Sequence, residues 1–221
     1  MRLLPLVPSA HLSAWTPDAD TEEVREAHRA ILLRDDHTCR FCGFRALDRQ
    51  GVVPVEDKQT PDKLATCCLL CAAVQQLDHP TAAREAVLIW LPQMSQAVLN
   101  NMVRGIHLSL RLDGQSPVLG NRPTKDTPLV RAAWSAYEAL AARQQAAELH
   151  IGTVSPVELA AALLDMAPAS YARRGDMLGG IRVLHRGQHF QNGSDVYPGI
   201  LTSWATANSP AAVATADLLN L

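Results

Sequence analysis

Cys39-Arg40-Phe41-Cys42-Gly43 and Cys68-Leu69-Leu70-Cys71 decide the reading of this chain. Each is a C-x2-C pair, and 25 residues lie between them. A two-residue gap lets both sulfurs of a pair turn toward one ion, so Cys39, Cys42, Cys68 and Cys71 can supply four thiolates to a tetrahedral Zn2+. Gly43 permits the positive φ or close backbone approach that a metal knuckle often needs. Four thiolates also hold iron, but nothing else in the chain points to electron transfer, and zinc is preferred. A site closed by four sulfurs has no open position, so the metal is structural. Structural zinc brings an apparent binding energy of roughly 10–16 kcal/mol, enough to decide whether such a unit folds. Cys67 competes with Cys68, because Cys67-x3-Cys71 is also possible. Cys68 is chosen for its symmetric spacing, which leaves Cys67 as a spare buried thiol. His37, two residues before Cys39, reads as a surface or capping residue.

Outward from the pairs, Gly51-Val52-Val53-Pro54-Val55 reads as a short strand, and Cys71 through Gln76 as the start of a helix. Knuckle, hairpin and ligand-bearing helix make a treble-clef-like ββα unit over residues 37–79, the frame of HNH nucleases. Those enzymes activate water with a His on the hairpin and further His or Asn later. Here Val53-Pro54-Val55-Glu56-Asp57 and Ala72-Ala73-Val74 contain no His, the turn reads Pro61-Asp62-Lys63-Leu64, and His79 comes too late. Glu56 and Asp57 read as solvated turn carboxylates. No general base or nuclease metal site is expected, and the chain is not read as an enzyme.

With 221 residues, the chain is long enough for one or two domains with a sizeable core. Its 48% hydrophobic content and net charge of -2 exclude a disordered chain and the global basicity of a nucleic-acid coat. The apolar runs Ala86–Leu91 and Ala160–Leu164 fall far short of the roughly 20 residues a bilayer needs. Pro5 and Pro8 break the first apolar run, which reads as a mature N-terminal segment and not a signal peptide. Five Cys are too few, and odd in number, for a disulfide scaffold.

Residues 1–36 read as an extended lead-in and a helix capped by Asp20, with Val24, Ala27, Ile31 and Leu32 on its packed face. Residues 80–221 read as a mainly helical remainder that forms one compact domain with the zinc unit. Within it, Ala86–Leu91 is a buried strand, and Ser95 caps a helix to about Leu112 with the stripe Val98, Leu99, Met102, Val103, Ile106 and Leu110. Thr127-Pro128 opens a helix to about His150, and Ser155-Pro156-Val157-Glu158 is a capping box. Ser209-Pro210 starts a last short helix. The fold class is α+β, mostly helical: a treble-clef/HNH-like ββα zinc unit packed with several helices.

The run Arg34-Asp35-Asp36-His37-Thr38-Cys39-Arg40-Phe41-Cys42-Gly43-Phe44 resembles the first knuckle of the IcmJ/DotN family of type IVB secretion systems. Leu64-Ala65-Thr66, Leu88-Ile89-Trp90-Leu91-Pro92, Gln96-Ala97-Val98-Leu99-Asn100 and Gly180-Ile181-Arg182-Val183-Leu184 have counterparts there. The resemblance is specific in residues 30–110, loose beyond, and departs in the last 30. It implies an HNH-like fold without catalytic residues and one structural zinc on the four Cys. It also implies a cytoplasmic protein recruited to the inner-membrane coupling complex, with neither membrane insertion nor nucleic acid as partner. There it would bind the C-terminal tail of a VirD4-like (DotL-like) coupling ATPase, alongside DotM-like and IcmS–IcmW-like components. An HNH-like DNA-binding or DNA-cleaving zinc protein is the alternative, and a redox module using the C-x2-C pairs a weaker third. Trp15, Trp90, Trp134, Tyr137 and Trp204 are candidate anchors for a partner, each weighed against a core role. Arg173, Arg174, Arg182, His185, Arg186 and His189 form the densest basic stretch.

Overall fold

In the computed structural model, residues 3–10, 21–55 and 63–206 are described. Asp20, Trp15, Glu56, Asp57, the start of the Pro61–Leu64 turn and the Ser209-Pro210 helix lie outside the described residues. Helix α1 (Glu22–Arg34) is capped by Thr21, whose hydroxyl accepts the Val24 N–H at 3.3 Å. Only its C-terminal end packs: Ile31 is buried, Val24 and Leu32 are half-buried, and Ala27 is exposed. Of the expected apolar face, only Ile31 is fully buried and only Ala27 is open to solvent.

Strand β1 (Gln50–Pro54) pairs antiparallel with β2 (Leu64–Cys68), and β2 runs directly into α2 (Leu69–Gln75). The lead-in, residues 3–10, has no regular structure and threads along this unit. The Leu4 N–H donates to the Arg40 carbonyl at 2.8 Å and the Ser9 N–H to the Val74 carbonyl at 3.0 Å.

A short α3 (Ala82–Glu85) leads into β3 (Ala86–Trp90), whose side chains enter two cores alternately. Val87 and Ile89 join one cluster and Leu88 the other. Burial on both faces is why this run is wholly apolar instead of alternating. Helix α4 (Gln96–Leu112) is capped by Ser95 as its sequence suggests; Leu99, Val103, Ile106 and Leu110 are buried, while Val98 faces outward at 52% exposure.

The long helix expected from Thr127 to His150 is two helices, α5 (Pro128–Ala141) and α6 (Gln144–Ile151). The reason lies in β3. One of its edges pairs with a later strand, and the other needs acceptors for its N–H groups. Arg143, at the break, offers its carbonyl to the Trp90 N–H at 3.2 Å, and Val154 accepts from Leu88 at 2.9 Å. Gly152, left-handed at φ +77°, ends α6. Helix α7 (Pro156–Leu164) follows the Ser155 cap. Residues 128–164 are apolar enough to cross a membrane by mean hydropathy, but the three helices in them have 14, 8 and 9 residues, short of a span.

Two short helices, α8 (Pro168–Ala172) and α9 (Arg174–Met177), precede β4 (Ile181–His185), the antiparallel partner of β3. A hairpin of β5 (Phe190–Gln191) and β6 (Ser194–Asp195) and helix α10 (Tyr197–Thr206) complete the described chain. Mixed helices with three two-stranded antiparallel sheets among the described residues agree with the α+β class. The core around the cysteines also takes Leu108 of α4 and Tyr197, Leu201 and Trp204 of α10. The Cys-bearing segment thus shares its interior with α4 and α10.

Candidate metal centre

The first Cys pair sits in a tight turn. The Cys39 N–H bonds the Phe44 carbonyl at 2.8 Å, and the Gly43 N–H returns to the Cys39 carbonyl at 2.9 Å. Gly43 has φ +77°, and an added Cβ would meet only Leu3 at 3.9 Å, so backbone conformation and not space calls for glycine. The turn docks on β2 through the Arg40 N–H and Thr66 carbonyl, 2.9 Å apart. Cys68 ends β2 with extended backbone and stands as the cap residue of α2, and Cys71 lies in the first turn of that helix.

These elements bring the sulfurs of Cys39, Cys42, Cys68 and Cys71 within 4.8 Å of one another, all four buried. A zinc–sulfur tetrahedron with bonds of about 2.3 Å has edges of about 3.8 Å, and Cys42 and Cys68 already lie 3.6 Å apart. The donor set and its spacing fit a zinc ion. Cys67 is buried but outside this group; Gln75 Nε2 reaches its sulfur at 3.7 Å. His37 is also outside it, and its carbonyl accepts from Gln50 Nε2 at 3.1 Å. Among the described residues no other cluster of His, Cys, Asp or Glu is arranged to hold a metal.

The electrostatics of the bare thiols conflict. Hydrogen bonding from Cys39 holds the Cys42 thiol well below its ordinary range. Burial pushes Cys68 and Cys71 well above theirs, and hydrogen bonding to Cys42 raises Cys39. Four buried thiolates cannot coexist without a cation, and a divalent ion at their centre removes the conflict.

Two polar side chains of α4, one turn apart, close over the sulfurs. Asn100 Nδ2 donates to Cys71 Sγ at 3.3 Å, and Arg104 Nη2 lies 3.2 Å from Cys68 Sγ and 3.5 Å from Cys42 Sγ. Both residues are 3% exposed. Asn100 is oriented by Gln96, whose Nε2 donates to Asn100 Oδ1 at 2.8 Å and to the Val183 carbonyl at 2.9 Å. Gln96 Oε1 accepts the Val183 N–H at 2.8 Å. Sequence reading missed all three. Their one signal is the i, i+4, i+8 spacing of Gln96, Asn100 and Arg104, which a solvated helix face would show equally.

The other candidate residues are not gathered into one surface. Trp134, Tyr137 and Trp204 are core residues, and Trp90 is half-buried and stacked on His150 at 3.7 Å. Most of the basic stretch is engaged inside the fold, while Arg173 is exposed. Arg174 bonds Ser9 Oγ, Arg182 bonds the Met94 carbonyl, His189 pairs with Glu85 at 2.9 Å, and His185 is buried.

Fold and centre together define a mostly helical α+β protein organised around a buried four-cysteine cluster. No family model matches the chain. It is similar to the type 4 apparatus protein DotN of Legionella pneumophila subsp. pneumophila (strain Philadelphia 1), at 26% identity over 170 residues, which cover 74% of this chain and 73% of DotN.

Proposed function

We propose that this chain is a structural component of a type IV secretion apparatus. Its observational support is the similarity to DotN along most of both chains. In this reading Cys39, Cys42, Cys68 and Cys71 hold one structural Zn2+ that staples an HNH-like, treble-clef unit to the helical remainder. The protein acts as a cytoplasmic adaptor in the coupling complex. It binds the C-terminal tail of a DotL-like coupling ATPase and, through that tail, joins DotM-like and IcmS–IcmW-like components in a substrate-recruiting platform. The test is capture of the purified full-length chain by the immobilised C-terminal tail of the coupling ATPase from the same secretion system. Retention on the tail, and none on a scrambled peptide of the same composition, is the expected result. No retention would overturn the assignment.

A further inference from the structure

Arg104 is 3% exposed, on α4, and far in sequence from the cysteines. Its guanidinium lies 3.8 Å from the centroid of the Phe44 ring and 5.7 Å from that of Trp204. Nη1 donates to Asn101 Oδ1 at 2.6 Å, and Nη2 faces Cys68 Sγ at 3.2 Å and Cys42 Sγ at 3.5 Å. Among the described residues it meets no carboxylate. A guanidinium stays charged at any physiological pH, and a buried cation without an anion is strongly destabilising. The cysteine sulfurs are the groups in reach that can carry the compensating charge.

Four thiolates around one divalent cation leave the centre with two negative charges. We propose that Arg104 is the dedicated counter-ion of this metal centre, cancelling one of them. The inference rests on the four-cysteine metal reading. It also couples the metal to α4, because the guanidinium carried by that helix reaches two of the four sulfurs, so a change at either is felt at the other. Asn100, one turn earlier, donates to a third sulfur, Cys71, but carries no charge. The two residues therefore separate hydrogen bonding from charge balance.

The experiment compares full-length wild type, Arg104→Met and Arg104→Lys, each loaded with Zn2+ and titrated with a chromogenic chelator. Arg104→Met should hold zinc at least tenfold more weakly than wild type, and Arg104→Lys, which keeps the charge, should fall between them. By linkage, Arg104→Met should lower the melting temperature of the zinc-loaded protein, yet leave that of the zinc-free protein unchanged or raised. A purely structural arginine would lower both equally. Equal zinc affinity in wild type and Arg104→Met, or equal loss of stability with and without zinc, overturns the proposal. If Arg104→Met does not fold, Arg104→Gln, which removes the charge but keeps a hydrogen-bond donor, carries the test, and a zinc affinity equal to wild type overturns the proposal. Wild type that takes up no metal would sink the metal reading itself, whereas zinc-binding wild type with indifferent variants sinks only the role of Arg104.

Discussion

The carboxylate of Asp35 accepts the backbone N–H of Thr66 at 2.9 Å, tying the end of α1 to the strand that carries Cys68. The same buried carboxylate takes Arg34 Nε at 3.0 Å and Arg40 Nη1 at 3.2 Å. Burial alone would raise its pKa, but the Arg34 and Thr66 hydrogen bonds outweigh burial and hold it below the ordinary carboxylate range. Asp35→Ala leaves the Thr66 N–H and two guanidinium groups short of a partner. Arg34 is 40% exposed and recovers water, so the expected cost is about 2–3 kcal/mol, at the low end for a broken buried pair. Urea unfolding of the metal-loaded protein measures it, and a loss below about 0.5 kcal/mol would reduce Asp35 to a passive helix terminator.

Replacing Cys39 or Cys71 with Ser should abolish stoichiometric zinc binding and destabilise the protein well beyond residues 37–75, since the cysteine core includes Trp204 and Leu201 of α10. Cys67→Ser should leave one zinc per chain, because Cys67 Sγ faces Gln75 outside the four-sulfur group. Elemental analysis of protein purified without chelator decides both. A Cys67→Ser protein devoid of metal would transfer the ligand role from Cys68.

Much of this was legible in the chain. The two C-x2-C pairs anticipate four converging sulfurs, Gly43 anticipates a left-handed turn, and Ser95 marks the start of α4. What escaped was set by partners distant in sequence. The break at Arg143 exists because the free edge of β3, some fifty residues earlier, needs its carbonyl. Arg104 and Asn100 are ordinary polar helix residues until α4 is laid against the cysteines. By contrast the β5–β6 hairpin carried a local sign that went unread: Asn192-Gly193, both at positive φ, forms the two-residue turn such hairpins favour.

Gly187→Ala should cost at least about 2 kcal/mol. Gly187 has φ +77°, and a methyl there would fall on the backbone carbonyl oxygen of Pro117, which cannot swing aside as a side chain can. Gly193→Ala is the control: it shares the positive φ but meets nothing nearby, so its cost should be smaller. Thermal melts of both variants check the ordering, and equal losses would mean that backbone conformation alone matters at Gly187.

Stability should also fall as pH drops below about 6.5. His107 and His185 are buried with ring centroids 6.0 Å apart. His107 Nδ1 meets Tyr197 Oη at 2.9 Å, and His185 Nδ1 accepts the Gly187 N–H. Burial pushes His185 down to about 4 and holds His107 well below its ordinary value. An unfolded chain protonates both near pH 6.5, so it binds more protons than the folded chain below that pH. Each His then removes up to about 1.4 kcal/mol per pH unit, for His185 until about pH 4. Urea midpoints between pH 7.5 and 5.5, with zinc content followed in parallel, should decline in wild type. The decline should flatten in His185→Gln, and an unchanged slope would exclude His185 as a source.

On the proposed function, binding of the ATPase tail should carry a large negative heat-capacity change. A tail that is disordered when free pays roughly 2–5 kcal/mol to order on binding, so a large contact area is needed to hold it. The Cys-bearing unit is small and spends much of its apolar surface on the core it shares with α4 and α10. The contact should therefore extend from that unit onto α4–α7, where Leu112, Leu149 and Val157 are exposed at 68%, 82% and 40%. Burying such residues removes apolar surface from water, and the heat capacity falls in proportion. Calorimetry at three or more temperatures with the cognate tail gives the slope directly. Leu149→Glu should weaken binding without lowering the melting temperature, because that side chain contributes nothing to the core. Tight binding with a heat-capacity change near zero would show a polar, local contact and refute the extended surface.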